Sequence, residues 1–230
     1  MTDSRAGTRG DALPPTWRPG SGRRFYPPCG VRRPGSVLLL VLLSGLAVAW
    51  LGDRLAPLPT VSGAQSAGTP SWRMLAMFAG VLPVLSLHSR MAGLEAVGTT
   101  RFHRGRALRL TALWVASLGV FLGVCAAFVE GRVLEVMAGA LPGWTGLGLL
   151  SGRLLGWRQG WILPALVLLL VGYWSVQDGS GGYPWWDFTR SPVVEQPLGL
   201  GISLGLLAVG MMAYWMTPWR LRSLLRRTRL

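Results

Sequence analysis

Residues 88–109, HSRMAGLEAVGTTRFHRGRALR, decide how the rest of the chain is read. They form a polar, arginine-rich interruption between two long apolar runs, as expected of a loop held at the cytoplasmic face of a membrane. Leu87, Met91 and Leu94 recur at four- and three-residue steps while Arg90 and Glu95 fall off that stripe, which predicts a short amphipathic helix. Gly98 ends it. Thr99 and Thr100 supply hydroxyls for capping a second turn that begins at Arg101, and Arg104, Arg106 and Arg109 follow before hydrophobicity resumes at Leu110. Such a surface suits docking on a protein or on anionic lipid. A charged loop that only fixes topology has the same composition.

Moving outward, apolar runs lie on both sides. Six are expected to span the bilayer: residues 37–51, 72–87, 110–129, 133–150, 161–176 and 198–219. Pro83 lies inside the second, where a membrane helix tolerates it as a kink. The third carries Gly119 and Gly123 four apart, a small-residue packing pattern. The fourth is the weakest, with Glu135 near its start and GALPG at 139–143 interrupting it, and is expected to be bent or broken. Pro164 falls in the first turn of the fifth, where proline is cheap. The fold class is therefore an all-α polytopic membrane protein. It divides into a disordered basic tail over residues 1–36, a six-helix transmembrane domain over 37–219 and a basic tail over 220–230.

Composition agrees. Half of the 230 residues are hydrophobic and only 14% are charged, against roughly a quarter in a soluble domain. The net charge of +14 comes entirely from arginine, since lysine is absent. Those arginines sit between the apolar runs, where insertion topology puts them, so nucleic acid is not an expected partner. Seven lie in the N-terminal tail, five in the central loop, two after the fourth run and five in the C-terminal tail, against Arg54, Arg73, Arg132 and Arg190 in the alternate segments. That bias places both termini in the cytoplasm, with the chain in the plasma membrane, and favours six crossings over five. No cleavable signal peptide is expected, because some 35 polar residues precede the first apolar run.

Chemistry is mostly excluded. There is no GxxxxGK[ST] loop, HExxH or GxSxG, and His88 and His103 stand apart from any Cys or Asp. Cys29 and Cys125 give no disulfide framework. No catalytic residue, metal site or cofactor is expected in this chain. Within the runs only Glu135 is acidic. An ionisable group at the bilayer centre costs about 2.5–3.5 kcal/mol, and ion-coupled carriers keep such groups because they use them. A conduit driven by a partner is the better expectation, with Ser44, Ser117 and Ser203 as helix-packing groups.

The segment YPWWDF, residues 183–188, has two readings. Its aromatics, Trp185 and Trp186, gather at headgroup depth through amphipathicity alone, or the segment is a short re-entrant element over the outer mouth of a path. In the second reading Asp187 and Arg190 pair at i, i+3, bounded by Pro184 and Pro192.

These features together resemble the membrane subunit of an ABC-2-type ATP-binding-cassette transporter. The resemblance rests on six runs, a segment between the second and third carrying Glu95, Gly98 and Thr99 before a basic return, and a polar segment at 177–197 before the last run. It implies a coupling helix that seats on a separate ATPase subunit, with Arg90, Glu95, Arg101 and Arg104 as contacts. It implies two re-entrant helices before the last span and a homodimer or heterodimer of permease subunits in the lipid bilayer. The rival expectation is a membrane scaffold or immunity protein that acts by binding alone.

Overall fold

The computed structural model describes residues 34–52, 54–57, 68–88, 100–174, 186–189 and 197–216. Its apolar runs are helices, because in a sequence without water contacts a helix satisfies every backbone donor and acceptor internally. Helix α1 covers Pro34–Leu51, α2 Ser71–Leu85, α3 Thr100–Ala126, α4 Gly131–Leu154, α5 Ile162–Trp174 and α6 Pro197–Trp215. A single 3₁₀ turn, Trp157–Gln159, joins α4 to α5. Strands β1 (Leu55–Pro57) and β2 (Gly68–Pro70) form an antiparallel ribbon between α1 and α2, with Ala56 opposite Thr69. The sequence predicts only loop there. The ribbon is anchored at its base, where Ser71 donates its backbone N–H to the Arg54 carbonyl at 3.0 Å and its hydroxyl to the Leu51 carbonyl.

Four helical stretches, Pro34–Leu51, Arg104–Ala126, Gly131–Leu154 and Pro197–Trp215, are long and apolar enough to cross a membrane. Helices α2 and α5 are shorter, at 15 and 13 residues. The packing fixes helix directions. Gly80 meets Leu141 and Trp144 while Val84 meets Gly148, so α2 and α4 run parallel. Gly143 meets Ser203 and Gly146 meets Gly210, so α4 and α6 run parallel as well. Between α4 and α5, Gly148 lies against Gly160 and Trp144 clusters with Leu168, which is antiparallel packing. Chain ends of one sense, with Arg54, Arg73 and Arg132, gather with the ribbon. The other end carries Arg104, Arg106, Arg109, Arg153 and Arg158.

Helix α4 is the axis. Val136, Met137, Ala140, Leu141, Trp144, Leu147 and Leu149 are all buried, and its neighbours face it with small residues. By contrast α1 buries one stripe, Val37, Val41, Gly45 and Val48, and exposes Leu39, Leu40, Leu43 and Leu46. Leu166, Leu169 and Leu170 on α5 and Leu198, Leu204, Val209 and Met212 on α6 are exposed too. Apolar faces this broad suit a lipid solvent rather than water.

Four sequence expectations change. The fourth run is one continuous helix through Pro142 and is not broken. Proline removes a donor and loosens the local ladder, and a neighbour repairs it: the Gly143 N–H donates to Ser203 Oγ of α6 at 2.7 Å. Helix α3 starts at Thr100, so the second half of the central loop continues the third run instead of forming a separate turn. Gly119 and Gly123 have nothing within 4 Å of an added Cβ, and the close glycine contact lies elsewhere: a Cβ at Gly146 would sit 2.3 Å from the Leu206 carbonyl oxygen, and one at Gly210 2.5 Å from that of Gly146. Small-residue pairs let backbones approach in this way. Helix α1 begins at Pro34, inside the stretch read as tail; the rest of that stretch, and residues 220–230, lie outside the described residues.

Candidate functional site

The first site grows from α2. Its buried stripe runs through Ala76, Met77, Gly80 and Val84, and Arg73 sits at the head of the same stripe, one turn before Ala76 and Met77. The helix therefore carries a guanidinium into the bundle. Facing it is residue 187. Asp187 Oδ1 accepts the backbone N–H of Thr189 at 2.9 Å and its hydroxyl at 2.7 Å, and the Phe188 N–H donates to the Trp186 carbonyl at 3.0 Å. This tight turn is of the kind that aspartate side chains stabilise. It leaves Oδ2 toward Arg73 Nη1 at 3.5 Å, with the two side chains 7% and 0% exposed.

Next to the pair, Phe188 enters the helices. Its ring meets Trp144 edge-on, with centroids 5.0 Å apart and planes at 61°. Gly143 makes the room, since a Cβ there would lie 2.8 Å from the ring. Trp144 is itself fully buried, as is Thr189. Arg73 also lies over the Trp72 ring, 5.5 Å from its centroid, a cation–π distance. The result is a socket walled by α2, α4 and α6 and filled by residues 186–189.

The expectations for this segment are revised accordingly. Asp187 pairs with Arg73 of α2; Arg190, its expected partner, and Trp185 lie outside the described residues. Trp186 is half-buried, and Asp187 and Phe188 are buried among the helices. Asp187 lies outside the six apolar runs yet is buried among the helices. Sequence reasoning missed Arg73, Gly143, Trp144 and Phe188. A signal for Arg73 was present, because it keeps the helical spacing of Ala76, Gly80 and Val84, and a charge on an otherwise buried stripe needs a buried partner.

The second site is the opposite end. Arg90 and Glu95 lie outside the described residues. Arg101 falls in the first turn of α3, and Arg104, one turn on, is exposed. Arg106 ties this end together: Nη2 donates to the Leu87 carbonyl at 2.7 Å, and its guanidinium lies 5.7 Å over the Trp157 ring. Trp157 meets Tyr214 edge-on at 5.7 Å, and Arg153 donates to the Met216 carbonyl at 2.9 Å. One arginine thus links the end of α2, the start of α3 and the 3₁₀ turn, and Trp157 carries the link to α6.

No family model, curated protein or solved structure matches the chain.

Between the two ends, a polar contact joins three helices at mid-bundle. Thr145 Oγ1 accepts from Trp114 Nε1 at 2.9 Å and donates to the Gly80 carbonyl at 2.9 Å, with the Leu141 carbonyl also within 3.0 Å. This connects α3, α4 and α2. Among the described residues no three of His, Cys, Asp and Glu gather as metal ligands. Ser44 donates to the Leu40 carbonyl of its own helix, whereas Ser203 joins α6 to α4 by accepting from the Gly143 N–H.

Proposed function

We propose that this chain is the membrane subunit of an ATP-driven exporter of the ABC-2 type. In this reading all six helices cross the plasma membrane, with both termini and residues 88–109 in the cytoplasm. Helices α2 and α5 are short for a hydrocarbon layer of about 30 Å, so the bilayer thins or their ends extend to meet it. Two permease subunits, identical or not, form the path, and a separate ATPase docks on Arg90, Glu95, Arg101 and Arg104.

The observation that carries this reading is the insertion of residues 186–189 into the bundle ahead of the last helix. A segment that connects two crossings and turns back into the apolar layer needs a reason, because its backbone polar groups lose water there. Covering one mouth of a path supplies that reason. The alternating helix directions and the arginine-rich opposite end support it. Arg106 would pass motion of the docking loop to α2, α3 and, through Trp157 and Tyr214, to α6.

The buried Arg73–Asp187 pair favours one other reading, an ion-coupled carrier, since such proteins keep ionisable groups in the apolar layer. One experiment separates the readings. The chain is co-expressed with candidate ATP-binding-cassette ATPases, and the purified assembly is reconstituted in vesicles. The permease reading expects a stable complex and ATP-dependent movement of substrate that survives collapse of the proton gradient. Movement that follows the gradient without ATP supports the carrier, and binding without movement supports the scaffold.

A further inference from the structure

The socket is filled unequally by its two occupants. The Phe188 ring fits closely, set against Trp144 and over Gly143. The Asp187 carboxylate does not. A guanidinium presents its donors as a fork that takes a carboxylate or phosphate through two parallel bonds of about 2.8 Å, whereas Asp187 meets Nη1 alone at 3.5 Å, its other oxygen being held by Thr189. Three buried polar atoms of this cluster, Arg73 Nε, Asp187 Oδ2 and Trp144 Nε1, have no hydrogen-bond partner among the described residues. Arg73 is more than nine-tenths buried, so water does not compensate its Nε. Buried donors in native proteins are nearly always satisfied, and an orphan calls for an explanation such as a ligand that the fold awaits.

The pattern of the socket specifies that ligand. At one point it offers an underused guanidinium, backed by Trp72. Beside it, Phe188 belongs to an apolar cluster with Met77, Val81, Trp144, Leu147 and Leu168, in which its ring meets Trp144 and lies over Gly143. Asp187 and Phe188, adjacent in sequence, imitate one molecule with an acid group and an apolar body. We propose that the seat of Asp187 and Phe188 is a binding site for an anionic amphiphile, which displaces these two side chains when it binds. Its head takes the Arg73 fork with two bonds where Asp187 makes none of hydrogen-bond length, and its body takes the surface over Gly143. The inference rests on the exporter reading only for its purpose, since it then names the substrate class. The binding itself needs no ATPase.

The test uses the full chain in a neutral maltoside detergent, with Cys29→Ser, Cys125→Ala and the reporter Trp186→Cys. Maleimide labelling of residue 186 reports lifting of the segment. Dodecyl phosphate is the probe, dodecyl phosphocholine the control for chain and detergent effects, and inorganic phosphate the control for the head alone. Dodecyl phosphate is expected to accelerate labelling several-fold and saturably, with neither control doing so. Arg73→Gln is expected to label faster at rest and to lose the saturable response. If that variant elutes as aggregate, Arg73→Lys keeps the charge without the fork, and a raised half-saturation concentration is expected. No acceleration, equal acceleration by either control, or an unchanged response in these variants overturns the proposal. Such a failure leaves complex formation with an ATPase untouched, so the two readings fail separately.

Discussion

Arg73 and Asp187 face one another at 3.5 Å between α2 and the segment that precedes α6, with side chains 7% and 0% exposed. Removing two such ions from water carries a penalty of several kcal/mol each, and attraction at this distance with unsatisfied atoms returns only part of it. The pair therefore fixes where the segment sits more than it holds the protein together. Asp187→Ala or Arg73→Ala leaves one uncompensated charge and is expected to lower stability by about 3–5 kcal/mol. Arg73→Met with Asp187→Leu removes both and is expected to come within about 1 kcal/mol of the parent or above it. Denaturant unfolding in detergent measures all three, and a double variant as weak as the singles would show a net-stabilising pair.

Backbone approach makes α4 and α6 a unit. Gly146→Ala places a methyl group 2.3 Å from the Leu206 carbonyl oxygen, which no rotamer relieves. The expected loss is about 1–3 kcal/mol, as for overpacked cores. Gly119→Ala meets nothing within 4 Å and should be neutral or stabilising by a few tenths to about 1 kcal/mol through helix propensity. Thermal unfolding of the two variants side by side is the check.

Two hydroxyls serve buried groups on neighbouring helices. Ser203→Ala leaves the buried Gly143 N–H without its acceptor, and Thr145→Val does the same to Trp114 Nε1 while freeing the Gly80 carbonyl. Each is expected to lower stability by about 1–3 kcal/mol. Indole N–H exchange at Trp114 should quicken in Thr145→Val alone, and an unchanged rate there would remove the contact from the account.

At the arginine-rich end, Arg106→Ala deletes the bond to the Leu87 carbonyl and the stacking on Trp157. Stability should fall by about 1–2 kcal/mol. Hydrogen exchange should rise over residues 104–110 and at the end of α2, while the middle of α4 stays protected. A uniform rise along all helices would mean that Arg106 supports the whole bundle rather than one end.

The helices were legible because six apolar runs separated by arginine leave little choice once backbone groups must be satisfied internally. Their long-range repairs were not legible. GALPG reads as a break when Pro142 and its glycines are considered alone, yet Ser203 and Phe188 arrive from far along the chain and occupy the space over Gly143. Helical spacing, the only pairing rule a single segment offers, suggests Arg190 for Asp187, and it says nothing of α2. There Arg73 meets Asp187, yet it reads as a topological charge until its place on the buried stripe is noticed. Phe188 carried no signal at all, being one aromatic among several in YPWWDF.

The claim on which the functional account turns is that residues 88–109 drive the bundle from a separate motor. ATP hydrolysis by the reconstituted complex, with the parent chain and with Arg101→Glu, Arg104→Glu, measures it most directly. The account expects the parent chain to stimulate the ATPase and the reversed charges to abolish stimulation while the chain still folds and inserts. Equal hydrolysis with the parent chain, the reversed variant and no chain at all would contradict it.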